Sequence, residues 1–350
     1  MHSHRSGKRT SIAIIGGDTL LGKEVHEVLE AAQIPASIEL VASFDAQEAS
    51  KTDSTKAARI LALGTEEPLV MVSIEAAELD SAQIVILSAS NEAGRKAFEK
   101  IRSAKPAPVV IDLSGSLEDF AGARLRAPMV EPAGFHTGAS VQTIAQPASI
   151  AIALLLTDLQ KACAIRRSVV EVFEPASERG RAGIDELQKQ TVSLLSFKPL
   201  PKDVFDAQLS FSMLSQYGSE SPYSLEEIEL KVDRHLASLL AASGAPMPSL
   251  RLIQAPVFHG YSISAWVEFE QNPGMDGIFQ ALASSDIDVR TKDHEPPTNV
   301  GVAGQGGITV GSIAQDRNQP RAWWFWAAAD NLRLAAENAV EVVREYLGVH

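Results

Sequence analysis

The chain has 350 residues, 45% of them apolar and 21% charged, which is enough for two domains that each bury a core. Its formal net charge of -13 argues against a nucleic-acid partner, because a polyanion needs a concentrated basic surface, and the short basic start MHSHRSGKRT is too small to supply one. No apolar leader follows that start, and the longest later apolar run, Ile150 to Leu156, is far too short to span a bilayer, so the expectation is a soluble, cytoplasmic protein without membrane contact.

In chain order, Ser11 to Gly17 reads as a strand, Leu20 to Ala32 as a helix and Ile38 to Phe44 as a second strand. Ala58 to Val72, broken by Gly64 and Pro68, reads as an inserted pair of short strands. Ala82 to Ala89 is a strand, Glu92 to Ser103 a helix and Pro108 to Leu113 a strand. Apolar strands alternating with helices predict an α/β fold: a Rossmann-like, doubly wound, mostly parallel sheet over residues 1–150.

After Ile150 the character changes to α+β over 151–330. Ser168 to Phe173 reads as a strand, Gly183 to Leu195 and Ser224 to Ala242 as helices, and Pro256 to Phe269, Gly307 to Ile313 and Trp323 to Ala328 as strands. A last helix, Asn331 to Tyr346, carries a stripe of small apolar residues and is expected to complete the first domain over 331–350.

Strand IAII leads into GGDTLLG and then a helix. A dinucleotide turn uses glycine to bend tightly and to bring backbone N–H groups to the pyrophosphate at a helix N-terminus. Gly16 and Gly22 hold the outer positions of such a pattern, while Thr19 replaces the middle glycine. A ligand-free strand-to-helix turn accounts for this motif equally well. Asp45, after the second strand, stands where a carboxylate can hold an adenosine ribose and repel a 2′-phosphate, which would select NAD over NADP; it reads equally as a turn residue. The single cysteine, Cys163, ends a helix without a nearby histidine and reads as a small buried hydrophobe. One cysteine also rules out an intrachain disulfide and any multi-cysteine metal site.

Several segments resemble, in the same order, those of the aspartate-semialdehyde dehydrogenase family: SIAIIGGDTLLG (11–22), VVIDLSGS (109–116), IAQPASIAI (144–152), SERGRAGIDEL (177–187), APVFHGYSISAWVEF (255–269) and VGSIAQDR with the closing DNLRLAAENAVEVV. The resemblance implies the fold, a dinucleotide site to which Asn331 of the DNLR turn contributes, and a homodimer built on the second domain. That dimer would use the sheet holding Pro256 to Phe269 and Val169 to Phe173. The aromatic run Trp323, Trp324, Phe325 and Trp326 supports it, because alternate side chains of a strand face opposite ways and both faces need cover.

The same comparison implies altered chemistry. The family's nucleophilic cysteine falls at Ser149, its basic histidine at Tyr261, its substrate carboxylate at Ile263 and its clamping arginine at Gln254. Its phosphate-binding arginine has no match in LEDF (117–120). A serine hydroxyl needs an adjacent base, and a tyrosine with a pKa near 10 is a poor one at neutral pH. The expectation is a non-dehydrogenating relative resembling the family's Usg-type paralogues, with weak NAD binding. The competing expectation is an active NAD(P)-dependent oxidoreductase with an altered substrate. Two arrangements could compensate: His259 as a base to Ser149, though a lone strand histidine reads more simply as a structural hydrogen-bonder, and the charged loop of Glu174, Ser177, Glu178, Arg179 and Arg181, whose residues read more simply as solvated.

Overall fold

A computed structural model describes residues 10–43, 58–61, 69–132 and 134–349. The chain divides into two compact units, one of Met1–Arg126, Gly134–Ile144 and Ala336–His350, the other of Ala127–Ala133 and Ala145–Ala335.

The first unit holds an eight-stranded sheet. Its strands are β1 (Thr10–Ile15), β2 (Ala36–Val41), β3 (Ala58–Leu61), β4 (Leu69–Val72), β5 (Ile84–Leu87), β6 (Val109–Asp112), β7 (Ala123–Arg126) and β8 (Val141–Ile144), in the order β3-β4-β2-β1-β5-β6-β8-β7. Only β3 runs antiparallel to its neighbour; every other pairing is parallel. The order reverses direction at β1, the switch point of a doubly wound sheet, where ligands bind beyond the strands' carboxyl ends. Helix α1 (Leu20–Ala31) starts at that point, capped by Thr19, and α2 (Asn91–Ile101) is capped by Ser90. Ala13, Ile15, Val85, Leu87, Ala97, Ile101, Val110 and Val141 join in one buried cluster, so the helix stripe and the central strands share a core.

The second unit holds six strands in the order β10-β9-β11-β14-β13-β12: β9 (Ile165–Glu174), β10 (Ser249–Gln254), β11 (Tyr261–Phe269), β12 (Ile287–Val289), β13 (Ile308–Gln315) and β14 (Ala322–Ala329). Its helices are α3 (Pro147–Ala162), α4 (Gly180–Leu195), α5 (Leu225–Leu240) and α6 (Gly274–Ala281), and α3 packs on α5 and α6. The sheet alternates cleanly. Ile263, Ala265, Phe325 and Val172 are buried, whereas Val169 and Trp324 on the other face are 44% and 45% exposed. Trp266 pairs across the strands with both of these residues.

The last helix, α7 (Asn331–Leu347), belongs to the first unit from Ala336 onward. There Glu345 meets Arg126, a fully buried guanidinium at the end of β7, at 2.8 and 3.0 Å. The strand expected over Pro256 to Phe269 begins only at Tyr261, because Gly260 adopts φ +80° and a turn precedes it. Strands β7, β8, β10 and β12 and helix α6 were not legible. Strand β8 is buried throughout yet contains Gln142 and Thr143, whose polarity hides it; Gln142 is there as a partner of Arg126.

Candidate functional site

The glycine turn is built by exclusion of side chains. Gly16 has φ +93°, and a Cβ there would lie 2.8 Å from the backbone of Ala89; a Cβ on Gly22 would lie 2.0 Å from the carbonyl oxygen of Gly16. Thr19 needs no such freedom, since its φ is -76°. Its hydroxyl lies 2.8 Å from Gly16 O and 3.1 Å from Ser88 O, and it accepts from Gly22 N at 2.9 Å, so it knits the turn to the exit of β5. The amides of Gly16 and Gly17 both donate to Val41 O. In backbone shape and helix polarity the turn fits a dinucleotide pyrophosphate. Asp18 adds a negative charge beside it, with Oδ1 2.7 Å from Ser43 N and Oδ2 2.7 Å from Ser43 Oγ. Asp45 lies outside the described residues.

The positions to which the sequence resemblance assigns the family's chemistry, Ser149, Gln254, Tyr261 and Ile263, lie in the second unit. Ser149 sits in the first turn of α3, fully buried, with its hydroxyl donating 2.8 Å to the carbonyl of Val232 in α5. A carbonyl oxygen takes the hydrogen bond but cannot take the proton, so this hydroxyl is not activated. Gln254, at the end of β10, accepts from the Tyr217 hydroxyl at 2.7 Å and donates to the Glu174 carbonyl at 2.8 Å. Ile263 packs in the sheet interior. Burial pushes the Tyr261 hydroxyl well above the ordinary phenol value, and the carboxylates of Glu178 and Glu174 push it further. It therefore stays protonated at neutral pH.

The loop expected to be solvated is instead buried. Glu174 and Ser177 are 1% and 2% exposed, and Arg179 pairs with Glu174 inside the unit. Burial drives the Glu174 carboxyl up to about 7 against the opposing pull of Arg179. The Arg179 guanidinium lies 5.3 Å from the centre of the Tyr223 ring, and its Nε is buried without a hydrogen-bond partner. Glu178 and Arg179 are partly exposed, and Arg181 is exposed, paired with Asp185 one turn later.

His259 does not reach Ser149. Its Nε2 lies 2.9 Å from Asp330 and its Nδ1 3.1 Å from the Ser177 hydroxyl. Asp330 also accepts from Gly304 N and from the first-turn amides of Leu332 and Arg333. Burial raises the Asp330 carboxyl, but the His259 and backbone hydrogen bonds outweigh it and hold the group below its ordinary value. The neighbouring Asn331, fully buried, accepts from Gly260 N and Ser177 Oγ and donates to Glu178. Both ends of its amide are thus engaged within the second unit. Cys163 is half-exposed rather than buried, with its thiol 3.1 Å from the Gln271 carbonyl. Sequence reasoning missed Tyr217, Asp330 and Asp18. For Asp330 a signal was present, an aspartate directly before a helix.

A glycine turn at the switch point of a parallel sheet, joined in one chain to a mixed six-stranded sheet with a buried polar cluster, defines a two-domain dehydrogenase-type fold. Residues 11–134 match the family description "Semialdehyde dehydrogenase, NAD binding domain", and residues 156–334 match "Semialdehyde dehydrogenase, dimerisation domain". The chain belongs to the semialdehyde dehydrogenase family. Among its relatives, an aspartate-semialdehyde dehydrogenase of Rickettsia bellii is 27% identical, with 97% of this chain and 98% of that protein covered. A USG-1 protein homolog of Azotobacter vinelandii is 28% identical over 95% and 96%. In fold, the chain is similar to the structure of a probable aspartate-semialdehyde dehydrogenase from Pseudomonas aeruginosa, with a TM-score of 0.82 at 24% identity over 97% and 99%.

Proposed function

We propose that this chain is a non-dehydrogenating member of its family, which keeps a dinucleotide-type domain and a homodimer but not the oxidation of aspartate semialdehyde. The observation that carries this is Ser149, whose hydroxyl donates to the backbone carbonyl of Val232 rather than to a base. Gln254 and Tyr261 support it, one with its amide satisfied internally and the other with its proton held firmly. Gly16, Thr19 and Gly22 are the residues that would hold NAD, at the N-terminus of α1. When bound, that group supplies a hydride acceptor. The homodimer reading rests on the open sheet face of Val169, Trp266 and Trp324 together with the dimerisation-domain match. The test is phosphate-dependent reduction of NAD or NADP with aspartate semialdehyde as substrate: the purified chain should give no rate above a buffer blank, and clear turnover overturns the proposal.

One observation favours a second reading, an active oxidoreductase acting on another aldehyde. A carboxyl with a pKa of about 7, as at Glu174, is suited to accept and return a proton at neutral pH. NADH formation with a panel of aldehydes, lost in Glu174→Gln, would support that reading.

A further inference from the structure

In doubly wound folds the carboxylate that receives the adenosine ribose hydroxyls usually stands just past the second strand. Among the described residues past β2, Ala42 and Ser43 carry no charge, and Asp45 lies outside them. Within the described residues a carboxylate reaches this place from across the turn. Asp18 places one carboxylate oxygen on the Ser43 amide and the other on the Ser43 hydroxyl, both at 2.7 Å, so the two residues form one fixed unit at the carboxyl ends of β1 and β2. Asp18 directly precedes the helix cap Thr19. Among the described residues no ion pair neutralises it.

We infer that Asp18 is the residue that sets dinucleotide choice in this chain, admitting a ribose with free hydroxyls and excluding one that bears a 2′-phosphate. This rests on the reading that the first unit holds a dinucleotide. Each carboxylate oxygen has further acceptor capacity beyond its bond to Ser43, so a 2′-hydroxyl can donate to it. A 2′-phosphate, carrying close to two negative charges, meets the same oxygens with like-charge repulsion. The choice is thereby made inside the glycine turn, on a hydrogen-bonded pair.

The experiment is calorimetric titration of the full chain with NAD and with NADP, repeated on Asp18→Ser and on Asp18→Asn. The asparagine variant keeps the size and one acceptor toward Ser43, and circular dichroism checks that both variants fold. The wild-type chain should bind NAD at least about tenfold more tightly than NADP, and both variants should shift that ratio toward NADP by about tenfold. NADP binding by a variant when the wild type binds neither nucleotide supports the same assignment. A wild type that prefers NADP, or variants with an unchanged ratio, overturns the role of Asp18 alone. Absence of binding by all three proteins overturns the dinucleotide reading, and the role of Asp18 with it.

Discussion

Glu174 and Arg179 face each other inside the second unit, with the carboxyl raised to about 7 while its partner remains charged. The unfolded chain releases the Glu174 proton near 4.5, whereas the folded chain holds it to about 7. Between those values the folded state binds the extra proton, so stability falls as pH rises through the window. The drop is at most roughly 3 kcal/mol. Asp330, with its lowered value, acts in the opposite sense and only at more acidic pH. The expected outcome is a melting temperature that declines from pH 4.5 to about 7 in the wild type. Glu174→Gln, neutral at every pH, should show a profile that is flat across the window. An equal decline in that variant would move the titration to another group.

Restoring the reacting pair should not restore the reaction. Ser149→Cys combined with Tyr261→His places a thiol where the hydroxyl now contacts the Val232 carbonyl, and an imidazole where the phenol is now buried. Gln254 and Ile263 still offer no charge to hold the carboxylate and ammonium groups of aspartate semialdehyde. The double variant should stay within about tenfold of a blank rate in the semialdehyde assay. A rate close to that of an active family member would show that Gln254 and Ile263 do not matter.

Asp330 carries several contacts at once. Asp330→Ala removes the cap of α7, worth about 1 kcal/mol, and leaves the Gly304 amide and His259 without their acceptor, at a further 1–3 or so. Denaturant unfolding should show a loss of roughly 2–4 kcal/mol. A loss below about 0.5 kcal/mol would mean that water replaces the carboxylate at no cost.

The open face of the second sheet should join two copies. Phe173 and Trp326 stack across it with centroids 6.0 Å apart, close to Trp266, Trp324 and Val169. Sedimentation equilibrium at micromolar concentration should give twice 37.5 kDa, and Trp324→Glu should shift the population toward monomer. A wild-type monomer would refute the homodimer.

The architecture was legible because buried parallel strands leave apolar runs such as IAII and VVID between amphipathic helices. The central strands and all but one of the longer helices follow from that periodicity. The short strands were not, since β10 and β12 carry polar side chains outward and take their place from neighbours far along the chain. At the site, the substitutions at 149, 254, 261 and 263 could be read from motif position, but their consequences could not. That Gln254 satisfies Tyr217, that the charged loop turns inward, and that His259 serves Asp330 are long-range contacts with no local pattern.

The indole nitrogens of Trp266 and Trp324 both donate to a single carboxylate oxygen of Asp316, at 2.9 Å each. These two, with Trp323 and Trp326, are all four tryptophans of the chain, and every one lies in the second unit. Tryptophan fluorescence is therefore a one-sided probe: it reports melting of the mixed sheet and draws nothing from the dinucleotide-type unit, which contains no tryptophan. A dye or an engineered tryptophan in α1 would be needed to time the two halves against each other.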